Sequence, residues 1–288
     1  MQPTLRAALW MIGAILAFTS MAVSGRAAAL DLDTFEIMLY RSCVGFIIVL
    51  IVGKSFGTLG QIRLAHMGLH SLRNLAHFSG QNLWFYAITV IPLAQVFALE
   101  FTTPIWVILL SPLILREKIT PIGAISAIIG FVGILIVARP GSATISPGLI
   151  AAALCAVGFA FTAIFTRKLT RTETITCILF FLTGMQAIFG LIAAGYDGDI
   201  ALPSLATLPW VIGIGFAGLI AHFCLTTALS IAPATIVMPM DFVRLPIIAV
   251  VGIILYNEPI DALVILGGVL IFAANYVNIR FGQANPTK

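Results

Sequence analysis

Long, nearly uncharged apolar segments follow one another along the whole chain, and they restrict its fold more than any other feature. Of the 288 residues, 60% are hydrophobic and only 9% are charged, whereas soluble domains are about 25% charged. The apolar residues occur in blocks rather than in the period-2 alternation of a membrane β-barrel. Helices satisfy every backbone polar group inside lipid, so we predict an all-α membrane protein.

Ten segments of the chain are long enough to cross a bilayer. Each crossing needs about 20 predominantly apolar residues. We predict spans near residues 5–25, 34–53, 66–89, 92–114, 120–139, 147–166, 174–194, 208–230, 233–256 and 260–280.

The second half of the chain repeats the first at a constant offset of 141 residues. Without a gap, this shift aligns Ala87 with Ala228, Pro92 with Pro233, Phe101 with Phe242, Glu117 with Glu258, and Glu100 with Asp241. Self-similarity at a fixed offset is the signature of an internal duplication. We therefore predict two five-helix units, residues 1–144 and 145–288.

An odd number of helices per unit places the second unit in the opposite orientation, and the loop charges agree with this. Of the 15 Lys and Arg, 10 fall on the N-terminal side, two fall on the other side, and three lie inside spans. Positive charges accumulate on the cytoplasmic side. We predict an inverted repeat in a bacterial-type cytoplasmic (inner) membrane, with both termini in the cytoplasm. Inverted repeats are typical of secondary transporters, whose substrate site lies near the midplane between the halves.

Several short motifs resemble those of the EamA-type drug/metabolite transporter (DMT) superfamily. They are residues 85–88 (FYAI), 91–94 (IPLA), 115–118 (LREK) and 130–133 (GFVG), and they recur more loosely at 228–234, Glu258 and 267–268. Arg41 also resembles an arginine often found in the second span of this family. The resemblance implies a ten-helix basket, in which spans 1–4 and 6–9 surround a central cavity and spans 5 and 10 pack at the periphery.

The same resemblance implies the movement of metabolites, very often the export of amino acids. The chain resembles most the bacterial amino-acid exporters, including those for aromatic amino acids, so we expect amino-acid export by alternating access. Transport of a nucleotide-derived metabolite, a vitamin or an amine is the alternative, and a membrane-embedded enzyme or a channel is a more distant one. The sequence contains no HExxH, GxSxG or P-loop motif, which disfavours an enzyme or an ATPase. We expect no cofactor, no metal and no nucleic-acid partner.

Five polar residues share one face of the third predicted span. At about 100° per residue, His66, His70, Arg73, His77 and Gln81 lie within a stripe roughly 80° wide. Ionisable side chains at membrane depth face a cavity or a partner by default. We expect Arg73, His77 and Gln81 to line the substrate cavity. The alternative is that His66 and His70 are interfacial and the others bond to neighbouring helices.

Acidic residues occupy corresponding positions in the fourth and ninth spans. By the helical rise of about 1.5 Å per residue, Glu100 and Asp241 each lie about 12 Å from one membrane surface, on opposite sides. His222 is near the depth of Asp241, and Arg244 is one turn from it. These four residues complete the predicted cavity. The alternative is structural pairing, Asp241 with Arg244 and Arg41 with Glu100.

Three arginines within spans oppose two carboxylates, so one guanidinium is in excess. A guanidinium fork suits a carboxylate ligand. Arg73 or Arg244 is therefore the candidate for binding the carboxylate of a substrate.

Prolines interrupt the fourth and ninth spans, where they remove helical hydrogen bonds. Pro104, Pro239 and Pro246 are candidates for gating bends, with a purely structural kink as the alternative.

Two further expectations concern the protein surface. Trp84 and Trp210 fall near predicted outer ends, where tryptophans anchor helices at the membrane interface. Gly130 and Gly133 permit close helix packing in the fifth span. This packing is either within the chain or in a homodimer through spans 5 and 10.

Overall fold

A computed structural model describes residues 2–116, 119–138, 146–257 and 262–281. The first half contains α1 (Pro3–Ala28), α2 (Thr34–Ser55), α3 (Met67–Val90), α4 (Leu93–Glu100), α5 (Thr103–Ile114) and α6 (Pro121–Ala138). The second half contains α7 (Pro147–Leu169), α8 (Ile175–Ala194), α9 (Leu208–Ile231), α10 (Ala234–Met240), α11 (Arg244–Tyr256) and α12 (Ala262–Phe281). The predicted boundary at residue 144 lies outside the described residues.

In the described part of the chain, the twelve helices form ten helical segments, because α4 with α5 and α10 with α11 each make one discontinuous segment. Seven of the described segments are long and apolar enough to cross a membrane by length and composition alone. α3 falls outside those seven although it is 24 residues long, and it carries the polar stripe. The prediction of an all-helical membrane protein with ten spans is confirmed.

Local signals in the sequence set several helix ends. The side chain of Asp33 accepts the backbone N–H of Glu36 at 2.8 Å, and Glu36 accepts the N–H of Asp33 at 2.9 Å. This reciprocal capping box starts α2. At two repeat-related positions, Arg116 after α5 and Asn257 after α11, the backbone is left-handed, with φ of 57° and 52°. Such residues commonly end helices.

Both discontinuous segments are interrupted at the same position of the repeat. Pro104 cannot donate to the carbonyl of Glu100, and the hydroxyl of Thr103 donates to that carbonyl instead, at 2.5 Å. In the second half, a 3-10 turn at Asp241–Val243 separates α10 from α11. Pro246 follows in the first turn of α11. Each membrane-embedded carboxylate therefore lies beside a helix break.

The halves interlock rather than lie side by side. α1 packs along α9, and α3 packs along α7. The repeat relates α1 to α7 and α9 to α3, so these two pairs correspond to each other. α2 packs on α8, and α6 packs on α12. Where α3 meets α7, a Cβ on Gly158 would lie 2.9 Å from the carbonyl oxygen of Ala76 and 3.0 Å from Cα of Gly80. This contact therefore requires glycine. The cavity lies among these cross-packed helices, while α6 and α12 pack outside them.

The outward surfaces of the helices are apolar, as expected of a chain surrounded by lipid. Leu113, Ile192 and Ile254 are each more than two-thirds exposed. Trp210 is 44% exposed, in agreement with its predicted place at the surface. Glu117 and Glu258, which carry part of the family resemblance, lie outside the described residues.

Candidate functional site

A buried cavity of about 60 Å³ lies where helices of both halves meet. Six of the seven predicted cavity residues line it, namely His77, Gln81, Glu100, His222, Asp241 and Arg244. Aromatic and apolar side chains form much of the remaining wall, among them Phe18, Met21, Trp84, Phe101, Phe159 and Met238. A space of this volume holds a few water molecules.

Arg244 links the carboxylates of the two halves. Its Nη2 donates to Oε1 of Glu100 at 2.5 Å and to Oδ2 of Asp241 at 2.6 Å. All three side chains are almost fully buried. The guanidinium also lies 4.9 Å from the ring centre of Phe97 and 5.0 Å from that of Phe18, where cation–π attraction stabilises it. The predicted pairing of Asp241 with Arg244 is confirmed.

The predicted pairing of Arg41 with Glu100 is wrong. Glu100 binds Arg244 and also accepts the indole N–H of Trp84 at 2.7 Å. The break between α10 and α11 places Arg244 within reach of the other half. Arg41 donates instead to the sulfur of Met38 at 3.5 Å.

Trp84 is not the interfacial anchor that its position near a helix end predicted. It is only 1% exposed, and its indole supports a buried carboxylate. The sequence did contain a signal for this, because Trp84 lies seven residues after His77 and three after Gln81. It therefore continues the polar stripe of α3.

Two histidine rings meet edge to face across the cavity. The ring centres of His77 and His222 are 4.7 Å apart. Each ring also contacts one member of a repeat-related pair of phenylalanines, since His222 lies 5.5 Å from Phe18 and His77 lies 6.2 Å from Phe159. The alignment of residue 18 with residue 159 in the repeat was the sequence signal for these aromatic walls.

Several polar atoms around the cavity are buried without a hydrogen-bond partner in the described part of the chain. They are both ring nitrogens of His77, Nε2 of Gln81, Nε2 of His222, Oδ1 of Asp241 and Nε of Arg244. Buried polar groups are ordinarily hydrogen-bonded. A bound solute or water would supply the missing partners, so the arrangement suits a ligand with several donors and acceptors.

Arg73 lies beside the cavity rather than in its wall. It is 1% exposed, and it donates to the hydroxyl of Thr166 at 3.0 Å and to the side-chain oxygen of Asn74 at 2.9 Å. His70 is also buried, with its ring 4.5 Å from that of Phe181. His66 precedes α3 near the surface, 4.0 Å from Glu173.

The three proline candidates occupy different places around the helix breaks. Pro104 lines the cavity. Pro239 lies inside α10, and Pro246 lies in the first turn of α11. Their role in gating stays a prediction. Among the described residues, no group of three or more His, Cys, Asp or Glu side chains is arranged to hold a metal ion.

Comparison with known proteins gives a family and several relatives. The model of the EamA-like transporter family matches residues 5–139 and 146–280. A riboflavin transporter of Brucella anthropi is 34% identical over 199 residues, which cover 68% of this chain and 70% of that protein. An S-adenosylmethionine uptake transporter of Rickettsia bellii is 25% identical over 92% of this chain and 90% of that protein.

Two further matches extend over most of the chain. A riboflavin transporter of Vibrio cholerae is 27% identical over 88% of this chain and 86% of that protein. A protein of known crystal structure superposes with a TM-score of 0.76, at 17% identity and with 96% of both chains covered. At that identity, the structural match supports the fold alone.

Proposed function

The chain belongs to the EamA-like transporter family, and we propose that it carries a metabolite with a planar nitrogen heterocycle, riboflavin first among them. Membership of this family makes the chain a small-molecule transporter rather than an enzyme. The named relatives carry riboflavin or S-adenosylmethionine. The expected amino-acid substrate has no support among them, and the vitamin and nucleotide-derived alternatives are the better supported ones.

The observation that carries this proposal is the mixture of aromatic walls and unpartnered polar atoms in one cavity. Phe18, Trp84 and Phe159 offer ring faces and edges against which a flat heterocycle packs. His77 and Gln81 offer unsatisfied polar atoms to the polar edge of such a ring. Small-molecule sites typically combine an apolar wall with a few polar groups that fix orientation.

Transport requires this cavity to widen, because about 60 Å³ is too small for a flavin. Pockets for ligands of that size have volumes of about 300–1,000 Å³. The helix breaks beside Glu100 and Asp241 are the natural hinges, and Pro104, Pro239 and Pro246 lie at or next to them.

The proposed mechanism is alternating access between units 1–144 and 145–288, with both termini in the cytoplasm. A homodimer through α6 and α12 would use the faces that these helices do not bury against each other.

We propose inward rather than outward transport. The Rickettsia bellii relative is named an uptake transporter, which supports import in place of the export expected from the sequence. The test is growth of a bacterial strain that can neither make nor import riboflavin. Expression of the chain should lower the external riboflavin needed for growth at least tenfold. A strain that needs as much riboflavin as the vector control would contradict the proposal.

S-adenosylmethionine is a second candidate, favoured by the charge of the cavity. Two carboxylates, Glu100 and Asp241, share the single guanidinium of Arg244. When both are ionised, this group carries one net negative charge, which would stabilise a sulfonium cation. Uptake of radiolabelled S-adenosylmethionine by cells that express the chain tests this candidate. Uptake equal to that of the vector control would exclude it.

A further inference from the structure

A second, smaller cavity adjoins the first at His222, which lines both. It lies between α2, α8 and α9 and has a volume of about 10 Å³, roughly the space of one water molecule. Arg41 contributes its charged side chain to the wall, together with Ser42, Thr183 and Gln186. The absence of a side chain at Gly218 leaves room for this guanidinium, since a Cβ there would be 3.1 Å from Nη2 of Arg41.

The guanidinium of Arg41 is buried without an anionic partner. The residue is 6% exposed, and the sulfur of Met38 is a weak hydrogen-bond acceptor. Among the residues that the structure describes, no carboxylate lies within ion-pair distance of Arg41. An uncompensated charge inside a membrane protein is costly, and Arg41 lies in the wall of the small cavity, where an anion could approach its guanidinium.

The charges of the interior lead to the same conclusion. Both membrane-embedded carboxylates, Glu100 and Asp241, bind Arg244. Among the described residues, Arg73 has hydrogen bonds only to neutral oxygens. Three guanidinium groups therefore oppose two carboxylates in this part of the structure, and one monovalent anion would restore neutrality.

The other polar groups of the small cavity divide into those already bonded and two atoms that are not. The hydroxyls of Ser42 and Thr183 donate to backbone carbonyls of their own helices at 2.6 and 3.0 Å. The side-chain nitrogen of Gln186 donates to the carbonyl of Asn74 at 2.8 Å. Oε1 of Gln186 and Nε2 of His222 are buried and unpartnered among the described residues. Since Oε1 only accepts, Arg41 and the Nε2–H tautomer of His222 are the donors that remain for an anion.

We propose that the cavity beside Arg41 is an anion subsite, occupied by one small monovalent anionic group that Arg41 and His222 hold. A chloride ion matches the charge and, as a single atom, is little larger than the water-sized space. A carboxylate of the transported solute has the same chemistry. Because the small cavity adjoins the main cavity, one solute could place its carboxylate in the small cavity and the rest of the molecule in the main one. The free-anion form of this proposal is independent of the function proposed above. The solute form rests on the S-adenosylmethionine candidate, because riboflavin has no carboxylate.

The test is thermal unfolding of the purified full chain in detergent, with potassium chloride, formate or gluconate at equal ionic strength. Chloride and formate should raise the unfolding temperature in a saturable way, and gluconate, which is too large, should not. Arg41→Gln should remove this dependence, and Arg41→Lys should keep part of it. Arg63→Gln is the matched control, because the Arg63 side chain is 61% exposed, and it should respond as the parent does.

A second comparison identifies the source of the anion. In gluconate, S-adenosylmethionine and its decarboxylated analogue are added to the parent and to Arg41→Gln. Stabilisation of the parent by the carboxylated compound alone, lost in Arg41→Gln, assigns the subsite to the carboxylate of the solute. Stabilisation by chloride or formate alone assigns it to a free anion. A parent chain that responds to none of these anions, or an Arg41→Gln variant that responds as the parent does, would overturn the proposal.

Discussion

Arg244 is the residue on which the charge balance of the main cavity depends. It comes from the break in the second half, yet one of its two carboxylate partners, Glu100, comes from the first half. Its contacts therefore hold the two halves together at the two helix breaks. Arg41 and Arg73 cannot replace it, because neither has a carboxylate within ion-pair distance among the described residues.

We expect Arg244→Gln to abolish transport and to lower the free energy of unfolding by about 3–5 kcal/mol, since removal of one partner leaves buried charge uncompensated. Chemical unfolding in detergent and uptake by cells measure the two effects. Neutralising the carboxylates as well, with Glu100→Gln and Asp241→Asn, should return part of the stability but not the transport. A single Arg244→Gln variant as stable as the parent would show that the cluster contributes nothing to the fold.

Trp84 gives a second test at the scale of single residues. Trp84→Phe keeps an aromatic wall but removes the N–H that donates to Glu100 at 2.7 Å. Hydrogen bonds to charged groups contribute about 1.5–3 kcal/mol to the stability of the arrangement they hold. Without this bond Glu100 is held less firmly in the cavity wall, so we expect the KM for riboflavin to rise at least several-fold while the protein still folds. The matched control is Trp210→Phe, at a partly exposed position outside the cavity wall, which should transport normally. Equal kinetics for the two variants would place Trp84 outside the site.

Which polar residues meet could be predicted from the sequence, but not which of them bind each other. The spacing in α3 and the repeat predicted that His77, Gln81 and His222 lie around one cavity, and they do. Their role in binding the substrate stays a prediction. The choice between Arg41 and Arg244 as the partner of Glu100 depends on where the breaks bend the chain. Depth along an ideal helix does not contain that information.

At the scale of elements, the two discontinuous segments distinguish this fold from a simple ten-helix bundle. Glu100 ends α4, and Asp241 begins the turn after α10. A proline follows each break, and the hydroxyl of Thr103 compensates the carbonyl that Pro104 leaves free. Segments interrupted in this way line substrate sites in other secondary transporters.

Pro104→Ala tests whether the first break is a hinge. Alanine restores an N–H that can bond to the carbonyl of Glu100, and the segment would become a continuous, stiffer helix. We expect binding of riboflavin to be retained while the uptake rate falls about tenfold or more. Pro112→Ala, within α5 and away from the break, is the control. Unchanged uptake in Pro104→Ala would assign the proline a structural role only.

The number and order of the helices could be predicted because each crossing needs a long apolar segment. The breaks could be anticipated from the prolines, but their form could not, since a 3-10 turn in one half and a two-residue interruption in the other depend on tertiary contacts. The aromatic wall was missed because aromatic residues are common in apolar spans, and only the repeat distinguishes Phe18 and Phe159.

At the scale of the whole molecule, two of the polar contacts between the halves correspond to each other in the repeat. The hydroxyls of Thr207 and Ser204 donate to the carboxylate of Asp31. At the corresponding place, the side chains of Arg63 and His66 approach Glu173 at 3.7 and 4.0 Å. The offset of 141 residues takes Arg63 to Ser204 and His66 to Thr207.

One of these contacts has a predictable dependence on pH. The hydrogen bonds from Thr207 and Ser204 hold the pKa of Asp31 below its ordinary value of 3.8. These hydrogen bonds therefore stabilise the fold fully at pH values above 3.8, and their contribution is lost only as the pH falls through the lowered pKa of Asp31. Near neutral pH this contact should not titrate.

The orientation of the whole molecule is a separate prediction, derived from the loop charges. In a background without the four native cysteines, Asn257→Cys should react with an impermeant thiol reagent added to intact cells, and Arg116→Cys should not. The two positions are repeat-related and share a left-handed backbone, so each is the matched control of the other. Labelling of residue 116 alone would reverse the predicted topology.

Uptake of radiolabelled riboflavin by liposomes that contain the purified chain tests the proposed function most directly. We predict saturable uptake above that of protein-free liposomes. Excess unlabelled riboflavin should suppress it, phenylalanine or tryptophan should not, and Arg244→Gln should abolish it. Riboflavin uptake no faster than in protein-free liposomes, together with saturable uptake of phenylalanine or tryptophan, would contradict the proposed function and restore the amino-acid substrate expected from the sequence.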